Sequence, residues 1–338
     1  MILVYYLIIM NALAFIIYGI DKKKAEKEKY RISESTLILV AVLGGALGAW
    51  LGMLVFHHKT RKKKFKIVPV FLVIYIVLSG LFLYGNYHLV TTEYEYRSEK
   101  ISEEMDGKTI VQISDLHNQL FGINQSILLD RIKKCNPDII VVTGDVVDTT
   151  HTNYGIAEQF FKGAVEIAPV YYISGNHEKW LSEMKKDKHE RFLKTVEDYG
   201  VKYLDDEVDH IQGITLVGIA DESLGEDIGA LIDSDVLRNV TNDEPIVVLM
   251  HEPEYIDSCT GSGADLVLSG HNHGGQINIP GKGGLISAGL DFFPDLYEGV
   301  HTFGDTTMII SRGLGNSIFP VRINNDPEIV KVVLRKEK

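Results

Sequence analysis

Asp138-Ile-Ile-Val-Val-Thr-Gly-Asp145-Val-Val-Asp148 is the stretch that decides the fold of this chain. Its apolar residues run without alternation and are mostly β-branched, as in a strand buried on both faces of a covered parallel sheet. Gly144 permits a tight exit from the strand, and Asp145 then stands at the carboxyl end. In open α/β sheets that is the end where ligands gather.

Working outward, the same grammar recurs. Thr109–Ser114 leads to Asp115 and His117, Val170–Ser174 to Gly175-Asn176-His177, Ile246–Met250 to His251, and Asp265–Ser269 to Gly270-His271-Asn272-His273. Thr215–Ile219 and Ile329–Leu334 read as further strands. Helical periodicity is predicted over Ser126–Cys135 and Tyr154–Ile167, with Asn124 or Ser126 as the cap of the first. The expectation is a layered α/β domain. An Asp after a strand usually caps a helix, and a lone His is usually an ordinary polar residue. Five strand ends that all carry metal-capable side chains are a different matter, because they converge on one crevice.

The residue types suit one chemistry. Carboxylates neutralise hard divalent cations, whereas imidazole suits Mn, Fe and Zn. A mixed Asp/His/Asn set therefore points to a binuclear manganese or transition-metal centre and not to an all-oxygen calcium cage. Two such ions held roughly 3.5–4 Å apart clamp the attacking and leaving oxygens of a displacement at phosphorus. The two cysteines, Cys135 and Cys259, form no C-x-x-C pair, so thiolate zinc is not expected. The single disulfide they could form is left open.

Taken in order, Asp115-Leu-His117, Gly144-Asp145-Val-Val-Asp148, Gly175-Asn176-His177-Glu178, His251 and Gly270-His271-Asn272-His273 resemble the calcineurin-like metallophosphoesterase signature over residues 108–338. The resemblance implies a sandwich of two central β-sheets flanked by helices. It implies two divalent ions, with Mn foremost and Fe or Zn as alternatives. Asp115, His117, Asp145 and His273 would hold one ion, and Asp145, Asn176, His251 and His271 the other, with Asp145 bridging. His177 would act on the substrate, stabilising charge or protonating the leaving oxygen, and Asp148 would orient a neighbour. Gly274-Gly275-Gln276 and Ser311-Arg312-Gly-Leu-Gly-Asn316-Ser317 are similar to a bacterial membrane-associated branch related to the UDP-diacylglucosamine hydrolases. That likeness implies a phosphodiester, phosphomonoester or pyrophosphate in a lipid-linked substrate.

The first 86 residues are of another kind. Met1–Ile20, Leu37–Phe56 and Ile67–Tyr84 are apolar runs near the ~20 residues that cross a bilayer as a helix, which predicts an all-α transmembrane module at 1–86 and a linker at 87–107. Twelve Lys/Arg against four Asp/Glu give this part a net charge of +8, leaving −20 for the rest of a chain whose total is −12. So acidic a domain repels polyanions, and nucleic acid is not an expected partner. Both short loops, Asp21–Ser35 and His57–Lys66, are lysine-rich and prefer the cytoplasm. Either one loop violates that preference, or the glycine-rich middle run with Gly44, Gly45, Gly48 and Gly52 is re-entrant. The second choice puts the catalytic domain outside the cell membrane, the side favoured here. Asp21-Lys-Lys-Lys-Ala, Arg31-Ile-Ser-Glu34, Gly44-Gly45 and His58-Lys59-Thr60 also resemble a small bacterial membrane family of unknown function. Arg31, Glu34, His58 and Lys59 are then either a polar site at the membrane surface or a set of helix-orienting charges.

For the substrate, Arg312 and Arg322 are the candidate phosphate clamps. Phe292, Phe293, Tyr297 and Phe319 are candidate walls of an apolar approach, with ordinary core packing as the competing reading.

Overall fold

The structure is a computed structural model that describes residues 2–211, 213–221, 244–316 and 319–337; Ser317 of the Ser311–Ser317 motif lies outside them. The chain divides into two units, Met1–Leu83 and Tyr84–Lys338.

Among the described residues three helical segments are long and apolar enough to cross a membrane: Val4–Glu26, Glu34–Val55 and Lys63–Tyr87, the last of which runs past the end of the first unit. Helix α1 covers Ile2–Glu26. The middle segment is not one rod. Helix α2, Glu34–Val40, is capped by the Ser33 hydroxyl; the chain then leaves helical geometry at Leu43 and at Gly44 (φ 106°), and α3 follows at Ala46–Val55. Contacts with α1 show the direction of each half. Leu37 O accepts from the Tyr18 hydroxyl, Leu43 O from that of Tyr6, and Gly44 O from the Asn11 amide. The Gly48 N–H then donates to Asn11 Oδ1, a Cβ on Gly52 would meet that of Tyr18, and Phe56 packs on Phe15 at 5.1 Å. The segment thus descends along α1 from Tyr18 to Tyr6 and returns. The last helix of the segment, α4, covers Ile67–Tyr87.

Because the middle segment doubles back, the two basic loops meet. Asp21 Oδ2 lies 2.9 Å from Arg31 Nη2, 2.7 Å from His58 Nε2 and 3.7 Å from Lys59 Nζ, while Glu34 Oε1 accepts from Lys59 at 3.0 Å and also pairs with Lys62. The second oxygen of Asp21 accepts from the Ile32 N–H. Asp21 is fully buried, so this closed set of partners is what makes its charge tolerable there.

In the second unit, residues 87–107 were expected to be a linker, but Val90–Ser98 is strand β1, paired in parallel with the last strand along its whole length. Its outward Glu93 and Glu95 ion-pair with Lys331 and Arg335. There follow β2 (Thr109–Ile113), α5 (Ser126–Lys134), β3 (Ile139–Thr143), α6 (Tyr154–Ala164) and β4 (Val170–Ile173). Next come α7 (Asn176–Met184), α8 (Lys186–Asp198), β5 (Lys202–Tyr203), β6 (Glu207–Ile211), β7 (Ile214–Gly218), β8 (Ile246–Leu249) and β9 (Leu266–Ser269). The short β10 (Asn278–Ile279) and β11 (Gly283–Gly284) precede β12 (Gly299–Phe303), β13 (Thr306–Ile310) and β14 (Glu328–Lys336). Neither Asn124 nor Ser126 caps α5: Gln125 stands at the cap with a left-handed φ, and its side chain accepts from the Phe121 N–H instead.

One six-stranded sheet has the order β1-β14-β2-β3-β4-β5 and the other β12-β13-β9-β8-β7-β6. Ile110, Val141 and Tyr171 of the first pack against Leu216, Val247 and Leu268 of the second, so the sheets face one another across a common core. Helices α5, α6 and α8 cover the outer face of the first sheet through Leu128, Phe160, Phe161 and Phe192. This is the expected sandwich, and β2, β3, β4, β8 and β9 are parallel enough to present their carboxyl ends on one side.

Candidate metal centre

The five strand ends bring the expected residues together. Asp115, His117 and His273 offer ligand atoms within 4.8 Å of one another, as do Asp145, His251 and His271. Asp145 joins the two groups: its Oδ2 lies 3.4 Å from His117 Nε2, 3.2 Å from His251 Nε2 and 4.0 Å from His177 Nε2. Asn176 Oδ1 lies 3.1 Å from His251 Nε2, and His273 Nε2 lies 3.8 Å from Asp115 Oδ1. Neighbouring ligand atoms around one ion with bonds of about 2.1 Å are roughly 3.0–3.5 Å apart, so the spacings of Asp145 to His117 and His251 and of Asn176 to His251 fit the edges of a coordination shell, while the His273–Asp115 spacing is longer.

Local backbone geometry makes the convergence possible at a cost. Asp115, His117, Asp145, His271 and His273 all have φ between 43° and 69°, a left-handed region that such residues seldom enter. Concentrated strain of this kind belongs to functional sites. Close approach also excludes side chains: a Cβ at Gly270 would sit 1.9 Å from Ser114 Oγ and 2.4 Å from Asp115 Oδ2.

Supporting residues fix each ring. His251 Nδ1 meets the Thr143 carbonyl at 2.8 Å, which leaves its Nε2 for the centre. Asp148 faces His117 Nδ1 at 3.6 Å while accepting from the Thr150 and His151 N–H groups, the orienting role expected of it. Glu178 had been noted only as part of a motif. Its carboxylate accepts from the N–H groups of Asp145 (2.7 Å), Val147 (3.1 Å) and Gly175 (2.9 Å), clamping the β3 exit loop to the start of α7. A Glu at the third position of a helix that follows Gly-Asn is the signal that marks it. Thr149 was missed altogether. Its N–H donates to His177 Nδ1 at 3.1 Å, so the neutral ring carries its proton on Nε2, toward Asp145.

Electrostatics divide the histidines. Burial opposes ionisation of Asp145, yet the facing His251 and His177 hold its carboxyl well below the usual range. Burial likewise opposes charge on His251, but Asp145 raises it well above an ordinary imidazole. Burial and the neighbouring His117 keep His273 neutral. Both ring nitrogens of His117 are buried without a hydrogen-bond partner. Orphaned nitrogens beside two carboxylates and three more imidazoles are what divalent cations would satisfy, so the residues fit a binuclear centre.

A cavity of about 700 Å³ opens on this cluster. Asp145, Asn176, His177, His271 and His273 form its floor, and Trp180, Glu252, Leu290 and Phe319 its walls. The expected clamps lie elsewhere. Arg312 is held by Glu328 at 2.9 Å and Glu298 at 3.6 Å. Arg322 is buried, donates to the Gly315 carbonyl, and stands 3.5 Å from His273 Nδ1. Neither arginine lines the cavity, and nor do Phe292, Phe293 and Tyr297; of the four aromatics only Phe319 does. Cys135 and Cys259 are free and buried.

Residues 108–275 match the calcineurin-like phosphoesterase family, and residues 11–65 match DUF1294, a protein family of unknown function. The uncharacterized protein YsdA of Bacillus subtilis is 48% identical over 83 residues, 24% of this chain and 93% of YsdA. The uncharacterized metallophosphoesterase YkuE of the same organism is 28% identical over 278 residues, covering 77% of this chain and 92% of YkuE. Phosphodiesterase YaeI of Escherichia coli is 26% identical over 233 residues, covering 67% of this chain and 81% of YaeI. The chain thus carries a calcineurin-like phosphoesterase domain, with relatives named metallophosphoesterase and phosphodiesterase, consistent with a hydrolase acting on phosphoester bonds, and a DUF1294 region toward its N-terminus.

Proposed function

We propose that this metallophosphoesterase hydrolyses a phosphodiester or pyrophosphate bond in a lipid-linked substrate, on the outer side of the membrane. The observation that carries the chemistry is the cluster itself: seven metal-capable side chains, five of them on left-handed backbone, among them a His117 whose buried nitrogens have no hydrogen-bond partner. Asp115, His117, Asp145 and His273 would hold one divalent ion and Asp145, Asn176, His251 and His271 the other, with Mn favoured over Fe or Zn. When bound, such ions supply Lewis-acid neutralisation of phosphoryl charge and a water of lowered pKa. Asp145 is the shared carboxylate. His177, oriented by Thr149, offers its Nε2 proton to a phosphoryl or leaving oxygen. The apolar walls Trp180, Leu290 and Phe319 favour a substrate with a hydrocarbon part over a free nucleotide.

The reversed middle segment supports this choice of side. It brings both lysine-rich loops to one end of the first unit, which the positive-inside rule assigns to the cytoplasm. Helix α4 starts at that end, reaches Val42 with its Tyr75 hydroxyl, and runs on for 12 further residues to Tyr87. Single-cysteine variants at Lys27, Lys64 and Glu103 test this with a membrane-impermeant maleimide on intact cells. Labelling at 103 alone is expected; labelling of either lysine position would refute the assignment.

For the reaction, purified full-length protein with Mn²⁺ is expected to cleave an aryl phosphodiester, and to prefer lipid-linked pyrophosphates in detergent to cyclic nucleotides. The opposite preference would replace the lipid reading by one of soluble-nucleotide hydrolysis. Lipid profiling of membrane extracts incubated with wild type and His177→Ala identifies the natural compound as the species consumed only by wild type.

A further inference from the structure

The last turn of α4, from Tyr84 to Tyr87, folds with the phosphoesterase unit although it ends a segment apolar enough to cross a membrane. A Cβ at Gly85 would sit 2.2 Å from the Arg322 carbonyl oxygen. Asn86 accepts from the Asn316 amide, the Tyr87 ring meets Phe121 edge-on at 6.3 Å, and His88 faces Asp326 at 3.1 Å. Those same segments support the metal-capable cluster from behind. The Gly315 N–H donates to the Asp115 carbonyl at 2.6 Å, and the Arg322 guanidinium stands 3.5 Å from His273. One residue, Arg322, therefore lies between the end of the apolar helix and a candidate ligand.

Around this contact the surface is apolar. Ile123 is 85% exposed and Phe292 70%, and Leu290, Phe293, Phe319 and Ile323 are each about half exposed. Phe293 and Ile323 belong to neighbouring strips of chain: Phe293 donates its N–H to Leu285, Leu285 donates to Ile277, and Ile277 bridges Ile323, the residue after Arg322. Leu290 and Phe319 continue inward as walls of the cavity. Large exposed hydrophobic side chains that lead up to a cavity wall mark an interaction surface.

We propose that this rim sits in the interfacial layer of the bilayer that α4 crosses, so that the cavity opens onto lipid and receives its substrate from the membrane plane. Continuity with the helix selects the occupant. Arg322, the chain neighbour of Ile323, and Phe121, two residues before Ile123, both meet the last turn of the helix, about 5 Å of its length, where Tyr84 and Tyr87 suit the membrane–water boundary. Charge attraction cannot hold a unit of net charge near −20 on an anionic membrane, whereas apolar side chains do so without it. The proposal rests on the reading of this cavity as the substrate site.

The test uses the full-length protein, whose own cysteines are buried, carrying Phe292→Cys or Glu103→Cys labelled with a nitrobenzoxadiazole dye. Glu103 precedes β2 and so lies at the end of the sheet away from the strand termini that build the cluster. Each is reconstituted in phosphatidylglycerol–phosphatidylethanolamine vesicles with and without doxyl-labelled lipid. Blue-shifted emission at 292, quenched several-fold more by doxyl lipid than at 103, is the expected result. Equal quenching at both positions overturns the proposal. So does shielding at 292 that depends on protein concentration and not on doxyl lipid, which would reveal a second copy or a protein partner. Aryl phosphodiester turnover in the same vesicles reports separately on the chemistry: quenching at 292 without turnover would leave the rim standing and remove the reaction.

Discussion

Two buried Asp–His clusters sit in the two units, and they are built on opposite principles. At Asp21 every charge has a partner: Arg31, His58, Lys59 and a backbone N–H close around the carboxylate, and Glu34 completes the set. At Asp145 the imidazoles crowd one another, both His117 nitrogens face carboxylates without a hydrogen bond, and the backbone at five candidate ligand positions is left-handed. A satisfied cluster holds a shape; an unsatisfied and strained one is prepared for something that arrives later. The difference teaches that burial of ionisable groups alone does not mark a reactive site. The state of their hydrogen bonds does.

Substitutions can break this comparison at either end. Asp145→Asn is expected to have the largest effect, because it removes the carboxylate that lies within 4 Å of His117, His177 and His251. Turnover of an aryl phosphodiester should fall by more than the roughly 10–100-fold that outer-shell changes cost, with the secondary structure seen by circular dichroism intact. Asp21→Ala should do the reverse, destabilising the first unit by about 3–5 kcal/mol, as when one partner of a buried ion pair is removed. A lower thermal midpoint in detergent, with unchanged kcat for the molecules still folded, is the result to look for. Glu178→Gln keeps the shape but weakens three N–H contacts, two to the loop of Asp145 and one to Gly175 at the start of α7. A roughly 10–100-fold loss in metal affinity or activity is expected, and an undiminished variant would show that the loop holds itself. The smallest effect is expected from Arg312→Ala. Its guanidinium is already engaged with Glu328 and Glu298, so KM should change less than twofold while stability falls. A large rise in KM would return Arg312 to the role of a phosphate clamp.

Much of the centre was legible in the amino-acid order because its signals are local. A short apolar run that ends on a metal-capable residue, through a glycine before Asp145, Asn176 and His271 and without one before Asp115 and His251, predicts both a strand and the place of a candidate ligand. What was not legible depends on long-range partners. Val90–Ser98 looked like an acidic linker because the strand that completes it, β14, begins 238 residues after it. Arg312 looked available because nothing local announces Glu328. Phe292 and Phe293 read as pocket walls or as core, and are neither; they stand exposed on the rim beside the cavity. The reversal of the middle apolar segment was signalled by its glycines, but only the paired contacts of Tyr18 with Leu37 and with Gly52 give the direction of both halves. Thr149 and Glu178 act through backbone groups, which leave little trace in side-chain motifs.

The most direct test of the central claim is the metal content of the full-length protein, measured by inductively coupled plasma mass spectrometry after loading with Mn²⁺ and gel filtration. Turnover is recorded on the same samples of wild type and Asp145→Asn. The account predicts two ions per wild-type chain, fewer in the variant, and activity that disappears with them. An Asp145→Asn protein that retains two ions and wild-type turnover would contradict it.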